Sequence, residues 1–562
     1  MTSIVGKRQG SKTYYHAVES ARVDGKPRIV SQTYLGSAEE VLAKLAGRSR
    51  GEPARVHAAA FGAVASAWAV AEDLRIAAIV DQVVKPRADA KVTAGRFIQL
   101  AAVGKAVAPC SKDAFADWWE RTAAPRFTRI SAKRLDGRRF GDAMGRLGAD
   151  RCPEVEERIA AHALRAERVD PSALVLDMTN FAAYVSSANP KAPIAQRGKA
   201  KQKRKDLRLV GLGLVATEDG AIPVLSHPYP GDKPDVTQFP KMVERLAERY
   251  SCLGDPGSLT VTWDAGQNSE DDQAVVEHAE FGFVTSLPPA NCQDLLDIPA
   301  SRFKALDPER HPKVRFHERK AYRALGAAGR VLVTFSPTLR EAQERGFAQT
   351  LAKAGAKLAD VQAVLERGRA RHARPQLEAK IAQILSDRQA AQVTDWDIAG
   401  DEPPNLRLAY QVDDDKIKAL ADREFGKRVL FTNRRQWEPA RVVAAYRSQH
   451  LVEASFKQMK DPARVAFSPM WHWTQDKIKV HCLIEVLALL IAHVMRRRAH
   501  QAGLEMSYDA ICSQLDRVEE VTMLYPKDGK GRPVAKKMLT ETTPLQRRLL
   551  ALYGADKLAP TR

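Results

Sequence analysis

The sequence predicts an α/β core that is interrupted by an insertion and preceded by a β-hairpin and a mostly helical region. Three β-strand patterns follow one another after Pro171, and helix and strand patterns then alternate up to residue 285. Ala-rich stretches with helical periodicity fill residues 55–168. Because 562 residues exceed what one hydrophobic core usually serves, several domains are expected.

The N-terminal segment predicts a hairpin and a short helix. Residues 12–35 contain two strand-like runs around Asp24-Gly25, a dipeptide typical of tight turns. Ser37 followed by Glu40 has the spacing of a capping box, which predicts a helix that begins after Ser37. The helical region that follows suits either DNA binding or a packing scaffold, and the sequence leaves both open.

The core predicts strands in a characteristic order. SALVLDM predicts a first strand that ends at Asp177, and LRLVGLGLVAT and AIPVLS predict the second and third. A helix over residues 235–250 leads to SLTVTWD, a fourth strand that ends at Asp264, and EFGFVTSL is the fifth. This is the order expected of a ribonuclease-H-like α/β core, which KRVLFTN resumes after an insertion domain.

These changes of pattern divide the chain into segments. The predicted boundaries are 1–50 for the hairpin and short helix, 51–168 for the helical region, 169–285 for the first part of the core, 286–424 for the insertion domain, 425–505 for the second part of the core and 506–562 for a C-terminal region. The longest apolar run, roughly Cys482 to Met495, is too short to span a bilayer and predicts a buried helix.

The charge of the chain indicates a polyanionic partner. Lys and Arg total 88 against 68 Asp and Glu, which gives a net charge of +20 and a pI near 9.6. Nucleic acid is the first candidate, and a basic enzyme without a polyanionic partner is the alternative.

The six cysteines form no CxxC pair, which argues against a zinc module or a disulfide framework. With no signal-peptide pattern at the N-terminus, a soluble cytoplasmic protein is expected.

Two aspartates are placed where an α/β sheet binds ligands. Asp177 and Asp264 each follow an apolar strand pattern, and the carboxyl ends of such strands lie at the ligand-binding edge of the sheet. A carboxylate there is costly unless it is exposed or bound to a cation, and Mg²⁺ prefers oxygen ligands. The alternative is that each aspartate only caps a turn.

A third carboxylate lies on a helix predicted from about Glu438 to Asp461. Tyr446, Glu453 and Lys460 are seven residues apart, so they share one stripe of that helix. A separate apolar stripe, suited to packing on the sheet, consists of Val452, Phe456 and Met459. The alternative is a solvated face on which Glu453 and Lys457 form an i,i+4 pair.

This helix resembles the Tyr-x-x-Arg-x-x-x-Glu-x6-Lys signature of a large group of bacterial insertion-sequence DDE transposases. Tyr446, Glu453 and Lys460 match it, while Gln449 stands at the arginine position and neighbouring Arg447 or Lys457 is the expected substitute. LVLDMTNF and TVTWDAGQNS resemble the segments that carry the two aspartates in that group. GKAKQKRKDLRLVGLGLV, PYPGDKPDVTQF and SPMWHWTQDKIKVHCLIEVLALL are similar to further segments, so the resemblance covers most of residues 171–500.

The resemblance implies a cut-and-paste transposase that acts as a homodimer on double-stranded DNA, both the terminal repeats of its element and the target. It implies that Asp177 bridges two Mg²⁺ or Mn²⁺ ions, while Asp264 and Glu453 each hold one. Water would attack the end phosphodiester, and the liberated 3′ hydroxyl would then attack target DNA. Tyr446 and Lys460 would position DNA phosphates. Residues 286–424 match the insertion that such enzymes carry between the second aspartate and the glutamate.

A basic loop between the first two core strands indicates a further DNA contact. Residues 196–208 carry seven basic residues and one acidic residue. Backbone contacts are expected from Lys199, Lys201, Lys203, Arg204 and Lys205. The alternative is a solvated loop.

Other functions fit some of the same residues. A ribonuclease-H-like nuclease that cleaves without joining shares all three carboxylates. A catalytically inactive DNA-binding descendant of a transposase is a second alternative, against which the intact carboxylates argue. A glycosidase with paired carboxylates would not explain the basic loop or the order of the motifs. Finally, Trp471, His472 and Trp473 are either a base-stacking cluster or part of a core.

Overall fold

The chain forms two compact units. The computed structural model describes residues 2–10, 12–23, 26–46, 52–186, 188–199, 206–250, 256–368, 373–525 and 534–561. The first unit comprises Met1–Ser66, Trp118–Arg129 and Cys512–Arg562, and the second comprises Ala67–Asp117 and Ile130–Ile511.

The described strands and helices are numbered in chain order. The strands are β1 Thr2–Gln9, β2 Lys12–Val23, β3 Lys26–Ser37, β4 Arg55–Ala60, β5 Ala173–Ala183, β6 Arg208–Thr217, β7 Pro223–Pro230, β8 Thr260–Thr262, β9 Gly282–Leu287, β10 Lys304–Asp307, β11 His311–Ala324, β12 Ala327–Phe335, β13 Thr394–Ala399, β14 Arg407–Val412, β15 Lys427–Thr432, β16 Glu519–Tyr525 and β17 Val534–Leu539. The helices are α1 Ala38–Ala46, α2 Gly62–Asp73, α3 Ile76–Val83, α4 Ala94–Val107, α5 Phe115–Glu120, α6 Ala124–Thr128, α7 Gly137–Leu147, α8 Cys152–Ala166, α9 Phe239–Tyr250, α10 Glu270–His278, α11 Gln293–Leu296, α12 Pro337–Glu366, α13 Arg374–Ile384, α14 Arg388–Val393, α15 Asp414–Glu424, α16 Pro439–Arg447, α17 Gln449–Lys460, α18 Gln475–Gln501, α19 Tyr508–Leu515 and α20 Pro544–Tyr553.

The described part of the first unit contains two small antiparallel sheets, in the orders β1-β2-β3 and β17-β16-β4. β2 and β3 pair as far as Val23 and Lys26, so the predicted hairpin is confirmed, while its turn at Asp24-Gly25 lies outside the described residues. The capping box is confirmed as well. The Glu40 N–H donates to Ser37 Oγ over 3.2 Å, and the Ser37 N–H donates to Glu40 Oε2 over 2.9 Å.

The second unit is built on a mixed sheet whose described strands lie in the order β10-β11-β12-β15-β9-β8-β5-β6-β7. β5, β6 and β7 are antiparallel neighbours, and β8 and β9 run parallel to β5. The five predicted core strands are therefore present, and β15 joins them beside β9. The insertion adds β10, β11 and β12 to the same sheet. Its helices α12 and α13 pack with β13 and β14 around a small apolar core of their own that includes Leu358, Ile381 and Leu406.

Different helices cover the two faces of this sheet. On β5 the side chains of Met178 and Thr179 point to opposite faces, because successive residues of a strand alternate. α9 covers the first face. Gly213 pairs with Met178, and a Cβ added at Gly213 would lie 2.2 Å from Met242 Sδ of α9, so a larger residue would force the Met242 side chain to shift. α17 covers the second face, where Lys460 Nζ donates to Thr179 Oγ1 over 2.7 Å.

Several boundaries predicted from the sequence are wrong. The fourth core strand, β8, ends at Thr262 and not at Asp264. β5 does not end at Asp177 but continues to Ala183, because β6 pairs with the whole strand although β8 pairs only with residues 173–175. The helix predicted from about Glu438 to Asp461 is two helices, α16 and α17, which meet at Ser448. The Ser448 hydroxyl donates to a carbonyl of the preceding turn over 2.6 Å, a local bond that competes with regular helix geometry.

The apolar run from Cys482 to Met495 lies within the longer helix α18. Among the described residues, α18 is the helix with the length and apolar composition to cross a membrane, and 94% of its apolar window is buried inside the protein. The prediction of a buried helix is confirmed.

A buried ion pair ties α8 to α9 and β7. Arg249 NH1 lies 3.1 Å from Glu156 Oε2, both side chains are only 6% exposed, and Arg249 also donates to the carbonyl of Val224. The Ser226 hydroxyl donates to the other oxygen of Glu156. Loss of one partner would leave the other charge buried without compensation.

We therefore expect Glu156→Ala to lower the free energy of unfolding by about 3–5 kcal/mol, measured from urea unfolding. The matched control is Glu157→Ala, because the neighbouring Glu157 is 43% exposed and lies 3.9 Å from Arg249 Nε. Because the Glu157 carboxylate stays accessible to water and lies at a long distance from Arg249, its loss should cost only about 0–1 kcal/mol. Equal effects of the two substitutions would contradict the assignment.

Stability is also expected to depend on pH through His493. This side chain is 1% exposed, its Nδ1–H donates to Ala221 O over 2.6 Å, and burial lowers its pKa to about 3. In the unfolded chain the pKa returns to about 6.5, so the unfolded state binds the proton first as the pH falls. Stability is present above pH 6.5 and decreases below it, by up to about 1.4 kcal/mol per pH unit. His493→Asn should flatten the slope of urea midpoint against pH between pH 7 and pH 5. The exposed control His500→Asn should leave that slope unchanged.

Candidate functional site

The pairing of the three parallel strands brings Asp177, Asp264 and Ser286 to one level of the sheet. The last pairs before this level are Val175 with Thr262 and Thr262 with Val284. Asp177, Asp264 and Ser286 each come two residues after the last of these paired residues in their own strand. Since paired residues share a face and side chains alternate, all three point to the face that α17 covers.

The two aspartates have different surroundings. Asp177 is half-buried in mid-strand, where the Met178 N–H donates to its Oδ1 over 2.7 Å. Asp264 is exposed and precedes a single 3₁₀ turn, Ala265–Gln267, but its side chain makes no capping hydrogen bond to that turn. Capping of a turn therefore explains neither carboxylate.

Tyr446 of α16 is the residue that holds Asp264. Its ring is buried, and its hydroxyl lies 3.1 Å from Asp264 Oδ1 and 3.0 Å from Ser286 Oγ. Burial raises the pKa of Tyr446, so the phenol stays protonated and donates to Asp264 while it accepts from the Ser286 hydroxyl. The Arg428 guanidinium lies over the same ring, 5.1 Å from its centroid.

Lys460, at the other end of the motif, contacts β5. Its Nζ donates to Thr179 Oγ1 and lies 5.6 Å from the centre of the Phe181 ring. Thr179 and Phe181 follow Asp177 by two and four residues, so they share its face. α16 is thus attached beside β8 and β9, and α17 is attached to β5.

Glu453 lies between these two attachments. It precedes Lys460 by seven residues, which places it on the same stripe of α17 and about 10 Å along the helix axis. The predicted apolar stripe of Val452, Phe456 and Met459 is confirmed as buried, and Glu453 itself is exposed. In the part of the chain that the structure describes, no three His, Cys, Asp or Glu side chains are close enough together to hold a metal ion. Asp177 and Asp264 share a face and Glu453 lies on the helix that covers it, but the three carboxylates are not gathered into one cluster among the described residues.

Aromatic residues support β5 next to the site, on the same face of the sheet. Phe181 stacks on Phe467 with 3.9 Å between ring centres, and His481 Nε2–H donates to Phe467 O over 2.9 Å. His472 is buried, donates to His481 over 3.1 Å, and has its pKa lowered to about 3 by burial. His472 therefore belongs to a core. Trp471 and Trp473 on either side of it are 65% and 56% exposed.

The other residues predicted to bind DNA are spread around this face. Arg447 donates to His311 Nδ1 over 3.0 Å, Lys457 is exposed, and the half-buried Gln449 keeps its Nε2 without a hydrogen-bond partner among the described residues. The carbonyl of Lys199 accepts from Asn180 Nδ2 over 3.1 Å, three residues beyond Asp177 on β5. The remaining loop residues, Lys201, Lys203, Arg204 and Lys205, lie outside the described residues. Their DNA contacts stay predictions.

The sequence analysis missed Thr179, Ser286 and Arg428. Each sits in a strand pattern that identifies the strand but not its neighbours. Ser286 could have been identified from the sequence, because it follows the apolar run of the fifth strand as Asp264 follows that of the fourth. The roles of Arg428 and Thr179 depend on contacts with the helices that pack over them, which the sequence does not reveal.

Comparison with known proteins adds little to this geometry. No protein-family model matches the chain, and no curated protein matches it in sequence. Among solved structures, the chain is similar to the cryo-EM structure of the piggyBac transposase synaptic complex with hairpin DNA, with a TM-score of 0.32 and 8% identity over 80% of this chain and 77% of that one. A superposition this loose carries no conclusion about the chain.

Proposed function

We propose that this chain is a DNA transposase of an insertion sequence, which cleaves the ends of its element and joins the freed 3′ hydroxyls to target DNA. The proposal assigns the second unit a ribonuclease-H-like core. Three antiparallel strands followed by two parallel strands, joined through helices, support that assignment. The observation that carries the proposal is the shared level and face of Asp177 and Asp264, with Glu453 on the helix that crosses that face.

The donor chemistry fits hard divalent cations. Asp177, Asp264 and Glu453 offer carboxylate oxygens, the ligands that Mg²⁺ and Mn²⁺ prefer. Two such ions, when bound, supply an activated water and neutralise charge on the leaving oxygen. Because the described side chains are not gathered, the proposal includes a rotamer change of the exposed Glu453 towards the two aspartates when cations and DNA bind.

The remaining residues orient the participants. Tyr446 holds Asp264 through its hydroxyl, and Ser286 holds Tyr446. Lys460 is fixed beside Asp177 through Thr179, where its ammonium can neutralise a DNA phosphate. Water is the nucleophile that breaks the end phosphodiester, which leaves a 3′ hydroxyl and a 5′ phosphate. The 3′ hydroxyl then attacks a target phosphodiester and releases a target 3′ hydroxyl.

The net charge of +20 supports double-stranded DNA as the partner. A homodimer on the two element ends and a cytoplasmic location in a bacterial cell, at the nucleoid when DNA is bound, belong to the same proposal.

The carboxylates are tested with plasmid DNA that carries the sequences flanking this coding region, incubated in Mg²⁺. Wild-type protein should give both nicked and joined products, while Asp177→Asn and Asp264→Asn should give neither. Both variants should still bind DNA, since DNA binding depends on basic side chains and not on these carboxylates. Asp271→Asn, at an exposed aspartate of α10, is the matched control and should stay active. Near wild-type cleavage by Asp177→Asn would refute the site. Nicking without joining by the wild type would identify a nuclease instead.

The positioning role of the Tyr446 hydroxyl is tested by measuring the affinity of the protein for Mn²⁺. The measurement is a calorimetric titration without DNA. Loss of a hydrogen bond to a metal ligand typically weakens metal binding by 10–100-fold, so Tyr446→Phe should raise the Kd for Mn²⁺ by at least about tenfold. Tyr250→Phe is the control, because the Tyr250 hydroxyl donates to Pro171 O over 2.8 Å, away from both aspartates. An unchanged Kd in Tyr446→Phe would remove the positioning role from this tyrosine.

A further inference from the structure

We propose that the cavity beside Asp264 is a subsite for one phosphate of the DNA backbone and that Arg428 is the residue that binds it. This inference rests on the proposed function and names a contact that the sequence motifs do not contain. The cavity has a volume of about 200 Å³, and its lining includes Asp264, Ser286, Gln343, Lys427, Arg428 and Tyr446.

Arg428 points to the same face of the sheet as the aspartates. On β15, Leu430 pairs with Ser286 of β9, and Arg428 precedes Leu430 by two residues. Arg428 and Ser286 therefore share a face, and Ser286 shares it with Asp264. A cation from β15 thus reaches the cavity whose other side is the Asp264 carboxylate.

The Tyr446 ring positions the guanidinium of Arg428, and no ion pair neutralises it among the residues that the structure describes. It lies over the Tyr446 ring, and the Tyr446 hydroxyl contacts Asp264, so one buried side chain positions both charged groups. A guanidinium that lies over an aromatic ring still has N–H donors for a bidentate contact with phosphate. The Arg428 side chain is exposed at this point of the strand.

Neighbouring residues are less suited to this role. Arg434 donates to Thr260 Oγ1 and to main-chain carbonyls, and Arg441 pairs with Glu218. Lys427 Nζ donates to Leu296 O over 2.6 Å, and burial lowers the pKa of Lys427.

At the start of α17, the half-buried Gln449 carries no charge. A backbone phosphate next to the Asp264 carboxylate is repelled, and a fixed cation beside it offsets that repulsion. Arg428 lines the same cavity as Asp264 and provides such a cation.

The test measures binding of the flanking DNA, as a fluorescently labelled duplex in the absence of divalent ions, over a series of salt concentrations. Arg428→Ala should weaken binding about tenfold at low salt and reduce the slope of log affinity against log salt by about 0.9, the value for one lost phosphate contact. Arg428→Lys should keep the slope and lose part of the affinity, because it keeps the charge without the bidentate edge.

Arg315→Ala is the matched control. Arg315 also lies over an aromatic ring, 5.2 Å from the centre of Phe335, but on the other face of the same sheet. Arg315 pairs with Phe335 of β12, and Arg428 pairs with Thr334 of the same strand. Phe335 and Thr334 are adjacent, so they point in opposite directions. Arg315→Ala should leave affinity and slope as in the wild type.

The outcomes separate this inference from the proposed function. If the wild type does not bind the duplex, both are overturned. If the wild type binds and cleaves while Arg428→Ala matches Arg315→Ala, only the phosphate subsite is overturned. Should Arg428→Ala fail to fold by its urea midpoint, Arg428→Gln decides, since it retains a polar side chain over Tyr446 and removes the charge.

Discussion

The parallel register of β5, β8 and β9 is the constraint on which the candidate site depends. A slip of one residue in β8 or β9 would turn Asp264 or Ser286 to the opposite face, and the Tyr446 hydroxyl would lose its partner there. The register is fixed from the other end of the strands. Asn433 exchanges hydrogen bonds of 2.9 and 3.1 Å with the backbone of Phe283 and Phe281, and Arg434 binds the start of β8 through Thr260. The chain that leaves β15 thus aligns β8 and β9 before it forms α16.

The same register brings charged side chains close together on one face of the sheet. Two carboxylates on neighbouring strands repel each other, and like charges side by side destabilise a sheet. On the same face Tyr446 donates to Asp264, and Lys460 lies beside Asp177 through Thr179. On the same face, beyond Thr179, the neighbouring groups are neutral: Phe467 stacks on Phe181, and a histidine that burial keeps uncharged donates to the Phe467 carbonyl. Along one face of β5, the charged groups around Asp177 are therefore followed by an uncharged layer at the end of the strand.

Local patterns in the sequence predicted the elements well. The hairpin, the capping box at Ser37, the five core strands and the buried stripe of α17 all follow from signals within a few residues of each other, namely alternation, helical periodicity and hydrogen bonds between near neighbours. The errors arose where distant residues decide. β5 extends past Asp177 because β6 is long enough to pair with it, and the helix around Ser448 divides where α16 and α17 attach to different strands.

The sequence by itself determined which carboxylates stand out, the order of the strands that carry two of them, and a charge that suits a polyanion. Only the tertiary structure decided that Asp177 and Asp264 lie at one level, that Tyr446 points inward to Asp264, and that Arg428 comes to lie over its ring. The physical reason is that a pattern along the chain fixes which face of an element is apolar, whereas the register between strands and the packing of a helix over them depend on contacts between residues far apart in sequence.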